Sequence, residues 1–205
     1  MTQLQTPFLQ SYRINALRLL GAGSAGLLLF AAAPPAIPVV EGVLDMIGTV
    51  AVFTAIAGRA WSLLYIGGRK NAELVTAGPY SMTRNPLYLF SLIGVVGIGA
   101  QTGSLLAMIL ISVLAYLAFE MAIRGEESFL ASRYGEGFDA YRRSTPRLWP
   151  DTALWREGVG LPLRSAHAIG GLRDGAVFLV AWLGLDCIKL AQSAGLLPIL
   201  WTLPL

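Results

Sequence analysis

Two short polar stretches carry most of the side chains that could do chemistry. One is LVTAGPYSMTRNPLY, Leu74 to Tyr88, and the other is RGEESFLASRYGEGFDAYRRSTPRLWP, Arg124 to Pro150. The first closes on Arg84-Asn85-Pro86, ahead of Tyr88. Asn is a favoured helix N-cap and Pro a favoured first helical residue, so a helix is predicted to begin at Pro86. Its free backbone N–H groups would point back at the loop, where the helix end and the Arg84 charge favour a carboxylate or a phosphate. The second stretch opens on Glu126-Glu127. Two adjacent carboxylates at a membrane boundary are costly unless solvated, paired or opposed by a cationic ligand. The grouping describes a small-molecule site at the edge of a membrane.

Taken singly, the same residues have plainer readings. Arg84 suits a topology anchor, Tyr80 and Tyr88 an interfacial aromatic belt, and Arg142, Arg143 and Arg147 a positive-inside cluster. Those readings leave the grouping unexplained, and acidic residues such as Glu126 and Glu127 add little to topology.

The elements that position these residues are apolar. Of 205 residues, 55% are hydrophobic and only 13% charged, with a mean hydropathy of +0.63. That is too apolar for an ordinary soluble domain and predicts an all-α, polytopic integral membrane protein, one domain over residues 1–205. Five spans fit: Leu19 to Val40, bent or ended by Pro34, Pro35 and Pro38; Met46 to Ile66; Pro86 to Ala100; Ser104 to Ile123; and Gly175 to Leu197. The third and fourth form a tight hairpin through Gln101-Thr102-Gly103. The fourth is expected to run on as one helix to Tyr134, capped by Gly135. Beyond it, Tyr134, Phe138, Tyr141 and Trp149 offer an aromatic side for a lid. At helical spacing Arg124 can meet Glu127, and Asp186 can meet Lys189. Ala31-Ala32-Ala33 would suit a signal-peptide cleavage site, but losing the first span would spoil the charge pattern, so that segment is read as a span.

Basic residues precede the first span (Arg13, Arg18), lie between the second and third (Arg69, Lys70, Arg84) and crowd the segment from Arg124 to Arg173. The connections around Val40 to Asp45 and Gln101 to Gly103 contain none. The positive-inside rule then places the N-terminus and both polar stretches in the cytoplasm and the C-terminus outside, in a bacterial inner membrane or its equivalent. A net charge of +3 suits membrane orientation better than nucleic acid, despite an isoelectric point near 9.2. One Cys, Cys187, excludes an internal disulfide, and one His, His167, argues against a multi-histidine metal centre or a Ser-His-Asp triad. No metal is expected.

Arg59 is an outlier, charged inside an otherwise apolar span. Such a residue is a functional candidate by default. It could face the site and hold an acidic group of a substrate, or snorkel to the helix end.

Together the two stretches resemble the isoprenylcysteine carboxyl methyltransferase family and its phospholipid N-methyltransferase relatives. The first block supplies Leu74, Val75, Thr76, Gly78, Pro79, Tyr80, Arg84, Pro86 and Tyr88. The second supplies Glu126, Glu127, Leu130, Tyr134, Gly135, Phe138, Tyr141, Pro146, Arg147 and Pro150. The match covers about residues 69–150, with residues 151–205 left as a surface segment and a last span. The resemblance implies S-adenosylmethionine as methyl donor, bound from the cytosol beneath a C-terminal lid. It implies cofactor contacts at Tyr80, Asn85, Tyr88, Glu126 and Glu127, with backbone at Leu74 and Val75 on the adenosine. Glu126 or Glu127 would take the methionine ammonium, and Arg84 or the helix start at Pro86 its carboxylate. Arg59, Arg84 and Glu127 are the residues expected nearest the chemistry. Asn85 stands where carboxyl methyltransferases carry His, as in some phospholipid-methylating relatives, which leaves the acceptor open. A lipophilic, membrane-embedded acceptor is expected, carboxylate, phospholipid amine or small thiol. An NADPH-dependent membrane reductase and a non-catalytic membrane scaffold are the readings from other classes.

Overall fold

The computed structural model describes residues 29–32, 38–67, 73–158 and 165–203. Among them are six helices, α1 (Pro38–Ile66), α2 (Pro79–Met82), α3 (Pro86–Gln101), α4 (Leu105–Tyr134), α5 (Glu136–Ser144) and α6 (Ser165–Ser193). A two-residue parallel ladder joins β1 (Ala31–Ala32) to β2 (Trp201–Thr202), pairing Ala31 with Trp201 and Ala32 with Thr202. Three helical stretches are long and apolar enough to cross a bilayer, Val39–Ile66, Leu105–Tyr134 and Gly175–Ser193, with α3 as a shorter apolar helix beside them. The protein is an all-α integral membrane protein.

The span boundaries differ from the sequence reading in instructive ways. Pro38 opens α1 rather than ending a preceding helix, as a residue with no N–H to lose can do at a first turn. Val40 to Asp45 are therefore the first turns of α1 and not a connection. The expected first span cannot be one helix to Val40, because Ala31–Ala32 is extended and bonded to the C-terminal tail; residues 1–28 and 33–37 lie outside the described residues. The last helix starts at Ser165, ten residues before Gly175, and ends at Ser193, short of Leu197, with Gly195 at φ 70° in the turn that follows.

The hairpin formed as its turn residues dictate. Gly103 takes φ 71°, and the Ser104 hydroxyl accepts the Ala107 N–H to cap α4. α4 then continues without a break to Gly135, at φ 52°, whose N–H donates to the Ala131 carbonyl.

α3 is the central helix, packed on α1, α4 and α6. It lies close to α1 because Gly48 and Gly97 face each other; a Cβ on either would sit 2.9 Å from the other's carbonyl oxygen. α4 leans on α3 and otherwise presents Ile109, Leu110, Val113, Leu114, Leu117 and Met121 outward, as a lipid-facing helix does. At the end away from the motifs, Gln101 donates to the Asp45 carbonyl (3.0 Å), and Gln192 to the carbonyls of Leu29 and Ala31 (3.1 Å each). Lys189 pairs there with Asp45 of α1 at 3.1 Å, and not with Asp186 of its own helix as the spacing suggested.

Candidate active site

The first polar stretch folds as a tight knot because a later strand of chain holds it. Gly78 takes φ 60°, and a Cβ there would lie 2.0 Å from the Tyr65 ring, so only glycine fits. Residues 145–156 form a strap across the knot. The Gly78 N–H donates to the Arg156 carbonyl (2.8 Å), the Arg84 N–H to Pro146 (2.9 Å), and the Asp151 N–H to Met82 (3.0 Å). The Thr83 hydroxyl, wholly buried, lies 3.2 and 3.1 Å from the carbonyls of Arg147 and Leu148, and the Ser81 hydroxyl accepts the Arg156 N–H at 2.9 Å. The strap ends on Trp155, whose ring stacks on Trp61 of α1 at 5.8 Å between centroids.

Arg84 turns inward. Its Nε donates to Glu127 Oε1 (3.0 Å) and its Nη1 to the carbonyls of Arg142 (2.8 Å) and Thr145 (2.6 Å), with the side chain only 8% exposed. Asn85 begins α3 without using its side chain as a cap; the amide Nδ2 donates instead to Glu127 Oε1 (3.2 Å) and to the Arg147 carbonyl (3.0 Å). Pro86 fills the first helical position, fully buried. Glu127 thus receives Arg84 and Asn85 on one oxygen, while Arg147 Nε stands 3.5 Å from the other. It is the knot's anionic centre.

Glu126 is placed differently. One helical step along α4 turns it about 100° away, where its Oε2 accepts the Tyr88 hydroxyl at 3.2 Å. Tyr88 is in turn propped by Phe119 at 5.6 Å between ring centroids.

Tyr80 lies under α5. Its backbone carbonyl accepts the Tyr141 hydroxyl at 2.6 Å, and Phe138 and Tyr141, two of the four aromatic residues expected on a lid, pack edge to face and are buried. Trp149, by contrast, is 68% exposed. The Tyr80 side chain is buried, yet its hydroxyl has no hydrogen-bond partner. Burial, then the neighbouring Tyr141 and Glu126, push the Tyr80 phenol well above its ordinary range, with Arg59 opposing. Burial likewise raises Tyr141, against the pull of Arg84. Both stay neutral donors at any physiological pH.

The structure therefore brings Tyr80, Arg84, Asn85, Pro86, Tyr88, Glu126 and Glu127 to one end of α3 and α4. Leu74 and Val75 are half-buried in the irregular stretch leading into the knot. Arg59 stands across α3, its Nη1 donating to Ser91 Oγ and to the Leu87 carbonyl (3.3 Å). Arg124 pairs with Glu120 at 3.1 Å, not with Glu127. Arg147, which suited a topology charge, is an internal ligand of carboxylates, 2.6 Å from Glu120 Oε1.

Sequence reasoning missed Glu120 and Ser91. The signal for Glu120 was its seven-residue spacing from Glu127, which repeats one helix face. Ser91 is four residues beyond Leu87 on the α3 face that meets Arg59, a polar residue in an apolar run.

The phospholipid methyltransferase family profile matches residues 38–137. The nickel-cobalt-cadmium resistance protein NccN of Alcaligenes xylosoxydans xylosoxydans is 36% identical over 165 residues, 80% of this chain and 77% of that one. The cobalt-zinc-cadmium resistance protein CzcN of Cupriavidus metallidurans is 37% identical over 164 residues, 80% and 76% of the two chains. Protein-S-isoprenylcysteine O-methyltransferase of Schizosaccharomyces pombe is 31% identical over 91 residues, 44% of this chain and 39% of the relative. No solved structure gives a significant match. The matched region begins at the first residue of α1 and runs through the hairpin and both carboxylates to the start of α5, so the chain belongs to the phospholipid methyltransferase family, the isoprenylcysteine carboxyl methyltransferase-like membrane methyltransferases.

Proposed function

We propose that this protein is an S-adenosylmethionine-dependent methyltransferase acting on a lipophilic acceptor at the membrane edge. The observation that carries this reading is the contrast between a carboxylate held by one phenol, Glu126, and a buried hydroxyl without a partner beside it, Tyr80. Family and geometry meet there. A buried polar group is ordinarily satisfied, so the unpaired Tyr80 oxygen fits a ligand atom supplied from outside the chain.

The residues present suit the cofactor. Glu126 would hold the ammonium of its amino-acid portion, oriented by Tyr88. Tyr80 would donate to an acceptor atom of the ligand. The first turn of α3 after Pro86 would offer its N–H end to a carboxylate, and backbone near Leu74 and Val75 would flank the adenosine. Arg84, Asn85 and Glu127 act one layer back: they lock the strap and α3 to α4, and so fix the spacing of Tyr80, Tyr88 and Glu126. When bound, the cofactor supplies a methyl group on a cationic sulfur for in-line displacement, a reaction that positioning and exclusion of water accelerate. Phe138 and Tyr141 provide that exclusion from the side of α5.

In this reading residues 69–150 are the methyltransferase core, both polar stretches face the cytoplasm, and residues 151–205 carry the strap's end and the last span. Two relatives are named for metal resistance. Among the described residues no group of three His, Cys, Asp or Glu is placed to hold a metal ion.

Calorimetric titration of S-adenosylhomocysteine into the full chain in phosphatidylcholine nanodiscs tests this. Binding that Glu126→Gln weakens by roughly 10- to 100-fold supports the reading. A folded wild-type sample that binds none, or one that binds NADPH instead, overturns it.

A further inference from the structure

The last turns of α6 and the first turns of α1 meet at the end away from the motifs, where Lys189 pairs with Asp45. There the chain turns back along the bundle. The Leu196 N–H donates to the Ala191 carbonyl (2.9 Å), Gly195 takes φ 70°, and the tail reverses beside the helix it has just left. Ile199 lines a cleft with Glu41, Asp186 and Leu190, and Leu203 lines a small cavity with Ala31, Leu185 and Ile188. Leu203 is therefore back at the level of Leu185, about two helical turns inside Ser193.

Backbone bonds hold the tail in this place. The Leu200 N–H donates to the Phe30 carbonyl and the Leu203 N–H to the Ala32 carbonyl, both at 2.9 Å, and Gln192 of α6 holds the same early stretch. Meanwhile Leu196, Ile199, Leu200 and Trp201 are 78%, 51%, 64% and 41% exposed. No Asp, Glu, Lys or Arg follows Lys189 in the chain. A run this apolar, this exposed and without charge is a surface for something other than water. It continues the apolar surface of the adjoining spans, where Val39, Val43 and Leu190 are 73%, 43% and 70% exposed. Those side chains face lipid, and the same lipid extends over the tail.

Depth follows from two opposed requirements. The short ladder of β1 and β2 has open edges, which hydrocarbon does not tolerate. Glu41, Asp45 and Asp186 behind it also need water or headgroups. The exposed leucines and the tryptophan need the opposite. The boundary between headgroups and acyl chains meets both, and tryptophan favours it.

We propose that residues 196–201 form an interfacial anchor, lying in the leaflet away from the motifs with Leu196, Ile199, Leu200 and Trp201 directed into its lipids. The partner is the phospholipid layer itself. The anchor fixes the depth of α1 and α6, whatever chemistry the motif end performs.

For the test, full-length protein in phosphatidylcholine nanodiscs carries one nitroxide at a time, on Leu196→Cys or Leu200→Cys, with the exposed Cys187 replaced by Ser. Collision with oxygen, which partitions into lipid, is compared with collision with a water-soluble nickel chelate. Leu114→Cys, on the outward face of α4, is the lipid control, and Glu136→Cys, exposed at the start of α5, is the water control. Both tail labels are expected to fall between the controls, favouring oxygen and reporting a depth of roughly 5–10 Å into the boundary layer.

A tail label as open to nickel as Glu136→Cys overturns the proposal and puts the tail in water. Shielding of either tail label from both reagents also overturns it, since protein would then cover the tail; dipolar broadening between labels would identify a second copy. If either substitution fails to fold, Ile199→Cys takes its place under the same criteria.

Discussion

The two ends of the helix bundle use polar residues in opposite ways. At the motif end, Arg84 and Glu127 pair with side chains 8% and 14% exposed, and both make further hydrogen bonds to the loop and strap. At the far end, Lys189 and Asp45 pair at a similar distance but stand 35% and 44% exposed. A pair removed from water is costly to form, and neither partner tolerates loss of the other. A pair on the open face of two helices leaves each partner room to reorient when the other is lost. The first arrangement therefore fixes geometry, and the second only trims a helix contact. The same contrast is repeated within two neighbouring residues, since Glu127 is enclosed by protein donors and Glu126 is held by a tyrosine at the edge of the site.

Substitutions should separate the two ends. Arg84→Ala, which leaves Glu127 short of its main partner, is expected to cost about 3–5 kcal/mol, read as a large fall in melting temperature. A fall no greater than that of Lys189→Met would erase the distinction between the ends. Gly78→Ala should follow, because it combines a left-handed backbone with a methyl group 2.0 Å from the Tyr65 ring; about 1–3 kcal/mol is expected from the backbone alone.

Glu126→Gln addresses the contrast within the motif. Its amide oxygen can still accept the Tyr88 hydroxyl, so stability should change by less than about 1 kcal/mol. The affinity for S-adenosylhomocysteine should fall roughly 10- to 100-fold, the value of a hydrogen bond to a charged group. Equal destabilisation by Glu126→Gln and Glu127→Gln would show that the two carboxylates share one role.

The far-end pair should matter least. Lys189→Met is expected to alter stability by at most about 1 kcal/mol and to leave cofactor affinity unchanged. In pH, the raised phenols of Tyr80 and Tyr141 mean that the folded protein keeps protons that the unfolded chain releases above pH 10. Their contribution is complete below pH 10 and declines as pH rises beyond it. Tyr80→Phe should flatten part of that alkaline fall in melting temperature.

Local chemistry was legible in the sequence, and long-range partnership was not. The hairpin, the uninterrupted helix to Tyr134 and the stop at Gly135 followed from caps and glycines, which act within a turn or two. That the residues of the two blocks would gather at one end of the bundle was legible from the motifs. Division of labour between Glu126 and Glu127 was not, because it depends on Arg84 and on a strap that passes some twenty residues later in the chain. Pro38 read equally well as a stop or a start, and only tertiary context decided. Trp61 and Trp155 stack across nearly half the chain, and no periodicity links them.

The hairpin itself has a consequence for the surrounding lipid. α3 has 16 residues, about 24 Å of helix, against a hydrocarbon layer of roughly 30 Å. A short helix beside longer ones draws the bilayer in around it. Headgroups on the motif side would then dip toward Tyr88, and a lipophilic acceptor of the proposed methyl transfer would need to rise less far out of its leaflet to reach the site. Membrane thickness becomes a variable of the reaction, and thicker bilayers should slow it.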